Sequence, residues 1–247
     1  MPEQSCRAEE TTVRRQPFER AAETLSSPVR SVEGTAELFL QTFRVTGAAV
    51  STIGDFLGNE TVSASNDLAA RIDELQFDLS EGPCWDALAT RKPVLTPNMT
   101  ALPADRWPAF VDAVSRERVG ALFAFPMFVG HLPIGAVDMY ASTPAGFSPR
   151  QVRQAAILAD LLAKQVLRLS LDGVADAPME DRRYSRRAIH QATGIVLAQL
   201  DISPDEAQLV IQGRAFATGR SMMEVAQDVI GGRIAFHMGP SGIEERR

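Results

Sequence analysis

Two copies of one helix-start signature constrain the C-terminal part of the chain: Ser203-Pro-Asp-Glu206 and Ser221-Met-Met-Glu224. In each, the serine hydroxyl can accept the backbone N–H three residues on, while the glutamate reaches back to the serine N–H. Pro204 suits a first helical position and Gly219 a left-handed C-terminal cap, and Gly231-Gly232 stops the last segment. Between these stops the apolar residues keep helical spacing. Ile189, Thr193, Val196, Leu197 and Leu200 make one stripe; Ala207, Val210, Ile211 and Ala215 make a second. Met222, Val225, Ala226, Val229 and Ile230 make a third. Residues 183–236 are therefore predicted to form a compact bundle of three short helices.

The first of these helices carries an unusual outer side. At about 100° per residue, Arg183, Arg187, Gln191, Gly194 and Ala198 share the side away from the apolar stripe, with Arg186 and His190 flanking it. A mid-helix glycine costs about 0.5–1 kcal/mol against alanine, so close approach of another body is its natural reason. An RNA backbone or a packed helix could be that body. Arginine meets phosphate with a planar fork or stacks on an unpaired base. From Arg182 to His237 there are seven arginines and five carboxylates, so this segment is positive within a chain of net charge −6. A solvated face is the plainer reading of such a row. A DNA-reading helix is disfavoured, because Met222–Ile230 offers only Glu224, Gln227 and Asp228 as polar residues.

Arg186, Ile189, Gln191-Ala192-x-Gly194, Ser203-x-x-Glu206-Ala207, Ala215-Phe216, Gly219-Arg220-Ser221 and Val225-Ala226 follow one another without a gap. In this order and spacing they resemble an ANTAR domain, the RNA-binding output module of bacterial transcription antitermination regulators. The resemblance implies RNA contacts from Arg183, Arg186, Arg187, His190 and Gln191. It extends them to Thr193, Gly194, Arg214 and Arg220. Thr193 stands where family members often carry a basic residue. The implied mechanism is grip on hairpin loops of a nascent transcript, so that a terminator does not form.

Upstream, residues 1–26 are expected to be a disordered leader, 172–180 a linker, 181–237 the helical domain and 238–247 a flexible tail. The leader carries Arg7, Arg14 and Arg15 and lacks a continuous apolar stretch, which fits neither a signal peptide nor an anchor. No run approaches eighteen apolar residues, so no membrane span is expected. With Cys6 and Cys84 as the two cysteines, a structural disulfide is not expected and a reducing cytoplasm is the natural setting.

Residues 27–171 read as a mixed α/β (α+β) domain. Helices are expected from Ser27-Pro28, across 67–77, 83–90 and 107–118, and from Ser148-Pro149-x-Gln151 to Leu171. Strands are expected at 47–53, 61–65, 94–96, 121–129 and 132–140, the last two joined by Gly130-His131. Pro126 demands a bulge or a locally unpaired edge. A central antiparallel sheet between a first and a last helix, with Ser80-Glu-Gly-Pro-Cys-Trp-Asp-Ala-Leu, Arg106-Trp-Pro-Ala-Phe and Phe125-Pro126-Met127, resembles a GAF domain. That resemblance implies a small-molecule sensor or dimerisation module. The leucine-rich last helix suggests a homodimer.

Catalytic chemistry is not visible. Bilin-binding GAF domains tend to show Cys-His, whereas Trp85 follows Cys84, which reads as a structural cysteine. The cyclic-nucleotide signature Asn-Lys-x-Phe-x-x-x-Asp-Glu is missing. His131, His190 and His237 are scattered, no zinc-ligand spacing occurs, and neither a phosphate loop nor a Gly-x-Ser-x-Gly elbow is present. No cofactor is implied, and a non-enzymatic regulator is expected. Phe77, Trp85, Phe125, Met127 and Met139 could wall a pocket or simply fill the core. Two other readings of the whole chain stay open: a DNA-binding regulator, or a GAF sensor with a protein-interaction helical tail.

Overall fold

The computed structural model describes residues 17–54, 57–172, 186–239 and 242–246. Among these, 17–76 and 80–172 form one compact unit; 77–79 and 186–246 form a second.

The first unit is built on a five-stranded antiparallel sheet in the order β2-β1-β5-β4-β3. Its strands are β1 (Gly47–Thr52), β2 (Glu60–Ala64), β3 (Val94–Thr96), β4 (Ala121–Val129) and β5 (Leu132–Ala141). The helices are α1 (residues 17–26), α2 (Thr35–Thr42), α3 (Asp67–Leu79), α4 (Pro83–Thr90), α5 (Pro108–Val114) and α6 (Pro149–Leu171). One sheet face is largely apolar: Ala48, Val50, Phe123, Phe125, Val137 and Met139 are buried with Leu25 of α1, Phe39 of α2, and Leu158 and Leu162 of α6. Such burial is the main term favouring the fold, at roughly 25 cal/mol per Å² of apolar surface.

Helix α1 corrects the expected leader. Phe18, Ala21, Ala22 and Leu25 fall on one helical stripe and pack into that core, so residues 17–26 are ordered structure. The rest of the expected leader lies outside the described residues. Helix α2 begins at Thr35 rather than at Ser27-Pro28, and α5 ends at Val114. Pro126 stands where the sequence requires a break in the ladder. Strand β3 reaches only Ala124 of β4, so Pro126 lies past its end, and a bulge follows between Met127 and Phe128.

A second bulge decides which polar residues meet. The β1–β2 register shifts between Val50 and Ser51, pairing Val50 with Ser63 but Ser51 with Thr61. Thr61 and Ser63 therefore point to opposite faces, although strict alternation would place them together. Ser63 Oγ accepts the Ala36 N–H of α2 at 3.1 Å, while Thr61 Oγ1 donates to Asp73 Oδ2 of α3 at 2.5 Å.

The second unit holds α7 (Arg187–Leu200), α8 (Pro204–Thr218) and α9 (Met222–Ile230) around a core of Ile189, Ala192, Val196, Ala207, Ile211, Val225 and Val229. Both serine-glutamate boxes form as the sequence predicts: Ser203 Oγ accepts from Glu206 N at 3.3 Å and Ser221 Oγ from Glu224 N at 3.1 Å. Gly219 caps α8 with φ 64°. The expected flexible tail is instead a hairpin of β6 (Ala235–Gly239) and β7 (Gly242–Arg246). Ile234 and Phe236 bury into the helical core, which holds the first strand down. Of the expected linker, residues beyond Asp172 lie outside the described residues. Among the described residues no helix is long and apolar enough to cross a membrane.

Candidate functional site

The first candidate site is the outer side of α7. Arg187, His190, Gln191, Gly194 and Ala198 are all exposed, along one row of the helix. A Cβ added at Gly194 would meet no heavy atom within 4 Å, so no neighbouring helix seats on this glycine. The row is thus an exposed strip with a cation, an imidazole and an amide beside a gap in the side-chain cover. It can offer donors to phosphate and to base edges, and admit a backbone closely.

The remaining residues singled out in the sequence are placed differently. Arg186 is 8% exposed, and its Nη2 lies 2.8 Å from Oδ1 of Asp78 within the second unit. Thr193 is buried, its hydroxyl donating to the Ile189 carbonyl at 2.8 Å. Arg214 pairs with Glu245 at 2.8 Å, and Arg220 with Asp228 at 2.8 Å. Asp228 also pairs with Arg233 at 2.5 Å, and these two arginines hold its carboxyl below the usual aspartate range. Arg183 lies outside the described residues. The structure therefore gathers Arg187, His190, Gln191 and Gly194, and engages Arg186, Arg214 and Arg220 in internal pairs.

The five aromatic and methionine positions do not form one wall. Phe125, Met127 and Met139 are fully buried in the apolar core beneath α1, α2 and α6. Trp85 is half-buried and donates from Nε1 to the Gln76 carbonyl at 2.8 Å. Phe77, in the second unit, lies with its ring centroid 5.4 Å from the Arg186 guanidinium.

The opposite sheet face carries a polar cluster that the sequence reading passed over. Asp138, in the central strand β5, is 3% exposed, and Asp73 of α3 is fully buried. Gln76 Nε2 donates to Asp138 Oδ2, and Gln76 Oε1 accepts the Cys84 N–H at 2.9 Å. Burial, then the charge of Asp73, push the Asp138 carboxyl well above the ordinary aspartate value. Burial likewise, with Asp138 and Asp73 behind it, pushes the Cys84 thiol up, so Cys84 is a neutral thiol rather than a reactive thiolate. Asp138 interrupts the apolar run Ile134-Gly-Ala-Val-Asp-Met-Tyr, and a carboxylate in a central strand was the available signal. Among the described residues no group of three or more His, Cys, Asp or Glu could hold a metal ion.

A sheet sandwiched between terminal helices and a polar-lined helical layer, joined to a capped three-helix bundle, defines a two-part regulatory class. Residues 29–164 match the GAF domain family and residues 178–230 the ANTAR domain family. The chain belongs to the GAF domain family and carries an ANTAR domain after it. GAF domains are sensor modules and ANTAR domains are RNA-binding antitermination modules, regulatory rather than catalytic.

Solved structures show the same fold for the first unit. The GAF domain of a phosphoenolpyruvate-protein phosphotransferase from Coxiella burnetii is 11% identical, covering 65% of this chain and 96% of that one, with TM-score 0.51. Free methionine-R-sulfoxide reductase from Neisseria meningitidis is 16% identical, covering 66% of this chain and 93% of that one, with TM-score 0.50. The chromophore-binding domain of a bacteriophytochrome from R. palustris is 10% identical, covering 66% and 62%, with TM-score 0.51. At such identities the likeness is one of fold alone. No curated protein matches the chain.

Proposed function

We propose that this protein is a signal-responsive regulator that binds hairpin loops in nascent transcripts and thereby controls transcription termination in the cytoplasm. The observation that carries this reading is the exposed row of Arg187, His190, Gln191 and Gly194, with open space above the glycine. The ANTAR match over residues 178–230 supports RNA as the body that occupies that space. The GAF unit acts as the sensor, and a homodimer presents two RNA-binding bundles. Ile157 and Leu171 of α6, 47% and 67% exposed, are the apolar groups a partner copy would cover. A small molecule that favours one dimer arrangement would shift the equilibrium between spacings of the bundles.

Filter binding of the full chain to paired-hairpin RNA and to matched duplex DNA, across a salt series, tests the reading. Loop-dependent RNA binding that Arg187→Ala weakens is the expected result. Preferential binding to duplex DNA, or equal weak binding to every nucleic acid unchanged by the substitution, would overturn it. Light scattering tests the dimer separately, and a strictly monomeric chain with and without RNA would remove it.

A further inference from the structure

Asp138 sits at the middle of the sheet with a low floor around it. Its cross-strand partners on β1 and β4 are Ala49 and Ala124, and Ala136 precedes it by two residues on the same face. Ser51, paired with Ala136, lies diagonally across that face. Above this floor stand Asp73 and Gln76 of α3 and the buried Cys84 of α4. Alanines flank the carboxylate on both neighbouring strands and two residues before it, while Tyr140 stands two residues after it on the same face.

Hydrogen-bonding capacity on this floor is left over. Asp138 Oδ1 and Ser51 Oγ have no partner, although Asp138 is 3% and Ser51 1% exposed. Thr96 Oγ1, on the same face further along, is also without a partner. Among the described residues no lysine, arginine or histidine pairs with Asp138. Buried oxygen atoms in native folds find partners, and a buried carboxyl stays ionised only with a compensating positive charge beside it.

We propose that the GAF unit binds a small protonated aliphatic amine on this face, with the Asp138 carboxylate as counter-charge and the Ser51 hydroxyl as a second acceptor. The inference rests on the reading of this unit as a small-molecule sensor and names the chemical class that it senses. An ammonium group carries three donors and one positive charge, enough to serve both Asp138 Oδ1 and Ser51 Oγ and to balance the carboxylate. Its aliphatic stem suits the alanine floor. A proton alone would neutralise Asp138 but leave Ser51 Oγ without a partner. The titratable groups facing Asp138 from the packed helices are Asp73 on α3 and Cys84 on α4, and its neighbours on β1 and β4 are Ala49 and Ala124. Because Asp138 holds its proton unusually firmly, amine binding displaces that proton and strengthens as pH rises.

The test is the melting transition of the GAF unit in the full chain. It is followed with methylammonium chloride, tetramethylammonium chloride or sodium chloride at equal ionic strength, near pH 6 and near pH 8. Methylammonium is expected to raise the midpoint saturably, by about 3–6 °C at ten times its Kd, and more at the higher pH. Tetramethylammonium, which has no N–H donor, is expected to match sodium. Asp138→Asn is expected to abolish the methylammonium effect. An equal rise in Asp138→Asn, or no difference between methylammonium and sodium in the wild-type chain, overturns the proposal. Should Asp138→Asn fail to fold, calorimetry of the wild-type chain in two buffers of different ionisation enthalpy decides. Proton release on methylammonium binding supports the proposal and its absence overturns it. No RNA is present in any arm, so a negative result leaves the RNA reading to its own titration.

Discussion

The Oε1 atom of Gln76 accepts the backbone N–H of Cys84 at 2.9 Å, tying the first turn of α4 to α3. Gly82 makes this possible. It has φ 134°, and a Cβ at that position would lie 2.6 Å from both Cγ and Oε1 of Gln76. Gly82→Ala should therefore strain the backbone and displace the amide, costing about 2–4 kcal/mol. Urea denaturation followed at the first unit's transition measures this. A loss below about 0.5 kcal/mol, the ordinary level for an inert surface change, would show that the clasp is dispensable.

The buried carboxylate of Asp138 makes stability depend on pH. Its folded-state pKa is raised by burial and then by Asp73, so the neutral form is favoured in the native state. The associated stability is fully present below the unfolded value, near about pH 4, and is lost as pH rises through the raised folded value. Asp138→Asn, which stays neutral, should gain stability relative to the wild-type chain between about pH 5 and about pH 8. Parallel urea midpoints at the two pH values check the sign, and a difference that does not grow with pH would contradict it.

Gly194→Ala separates the two reasons for a mid-helix glycine. With open space at the Cβ position, alanine should stabilise α7 by about 0.5–1 kcal/mol. If a nucleic-acid backbone approaches there, the same change weakens RNA binding. A thermal melt and a filter-binding titration on one preparation give both numbers. A stabler variant with unchanged RNA affinity would show that nothing approaches this strip.

Arg187→Ala should lower RNA affinity and reduce the slope of log K against log salt by about 0.7, the contribution of one phosphate contact on a single strand. Arg220→Ala should behave differently, because Arg220 is partly buried and holds Asp228 at 2.8 Å inside the helical unit. Its main effect should fall on the melting of the helical unit, and an RNA slope change equal to that of Arg187→Ala would reassign it to the interface.

Removing a capping hydroxyl tests the helical unit itself. Ser203→Ala and Ser221→Ala should each cost about 1 kcal/mol by leaving first-turn N–H groups without their acceptor. Chemical denaturation monitored on that unit reads the loss, and a cost near zero for both would mean that water replaces the caps freely.

What could be read before folding and what could not divide by the distance over which each group is satisfied. Ser203 with Glu206, Ser221 with Glu224 and Ser148 with Gln151 complete their hydrogen bonds within three residues, so sequence alone determined where α8, α9 and α6 begin. The exposed row of Arg187, Gln191 and Gly194 was legible for the same local reason, since helical periodicity alone sets which side they share. Helix α1 and the hairpin of β6 and β7 escaped because Leu25 and Phe236 gain their burial only from distant partners. Arg186 and Arg187 are neighbours of identical chemistry, yet one is buried against Asp78 and the other exposed. The polar face was hidden most completely: the β1–β5 register puts Ser51 on the face of Asp138, and a β1–β2 shift between Val50 and Ser51 turns Thr61 toward Asp73. Strand pairing and bulge position depend on the whole sheet, so only the tertiary structure decided which buried oxygens would face one another.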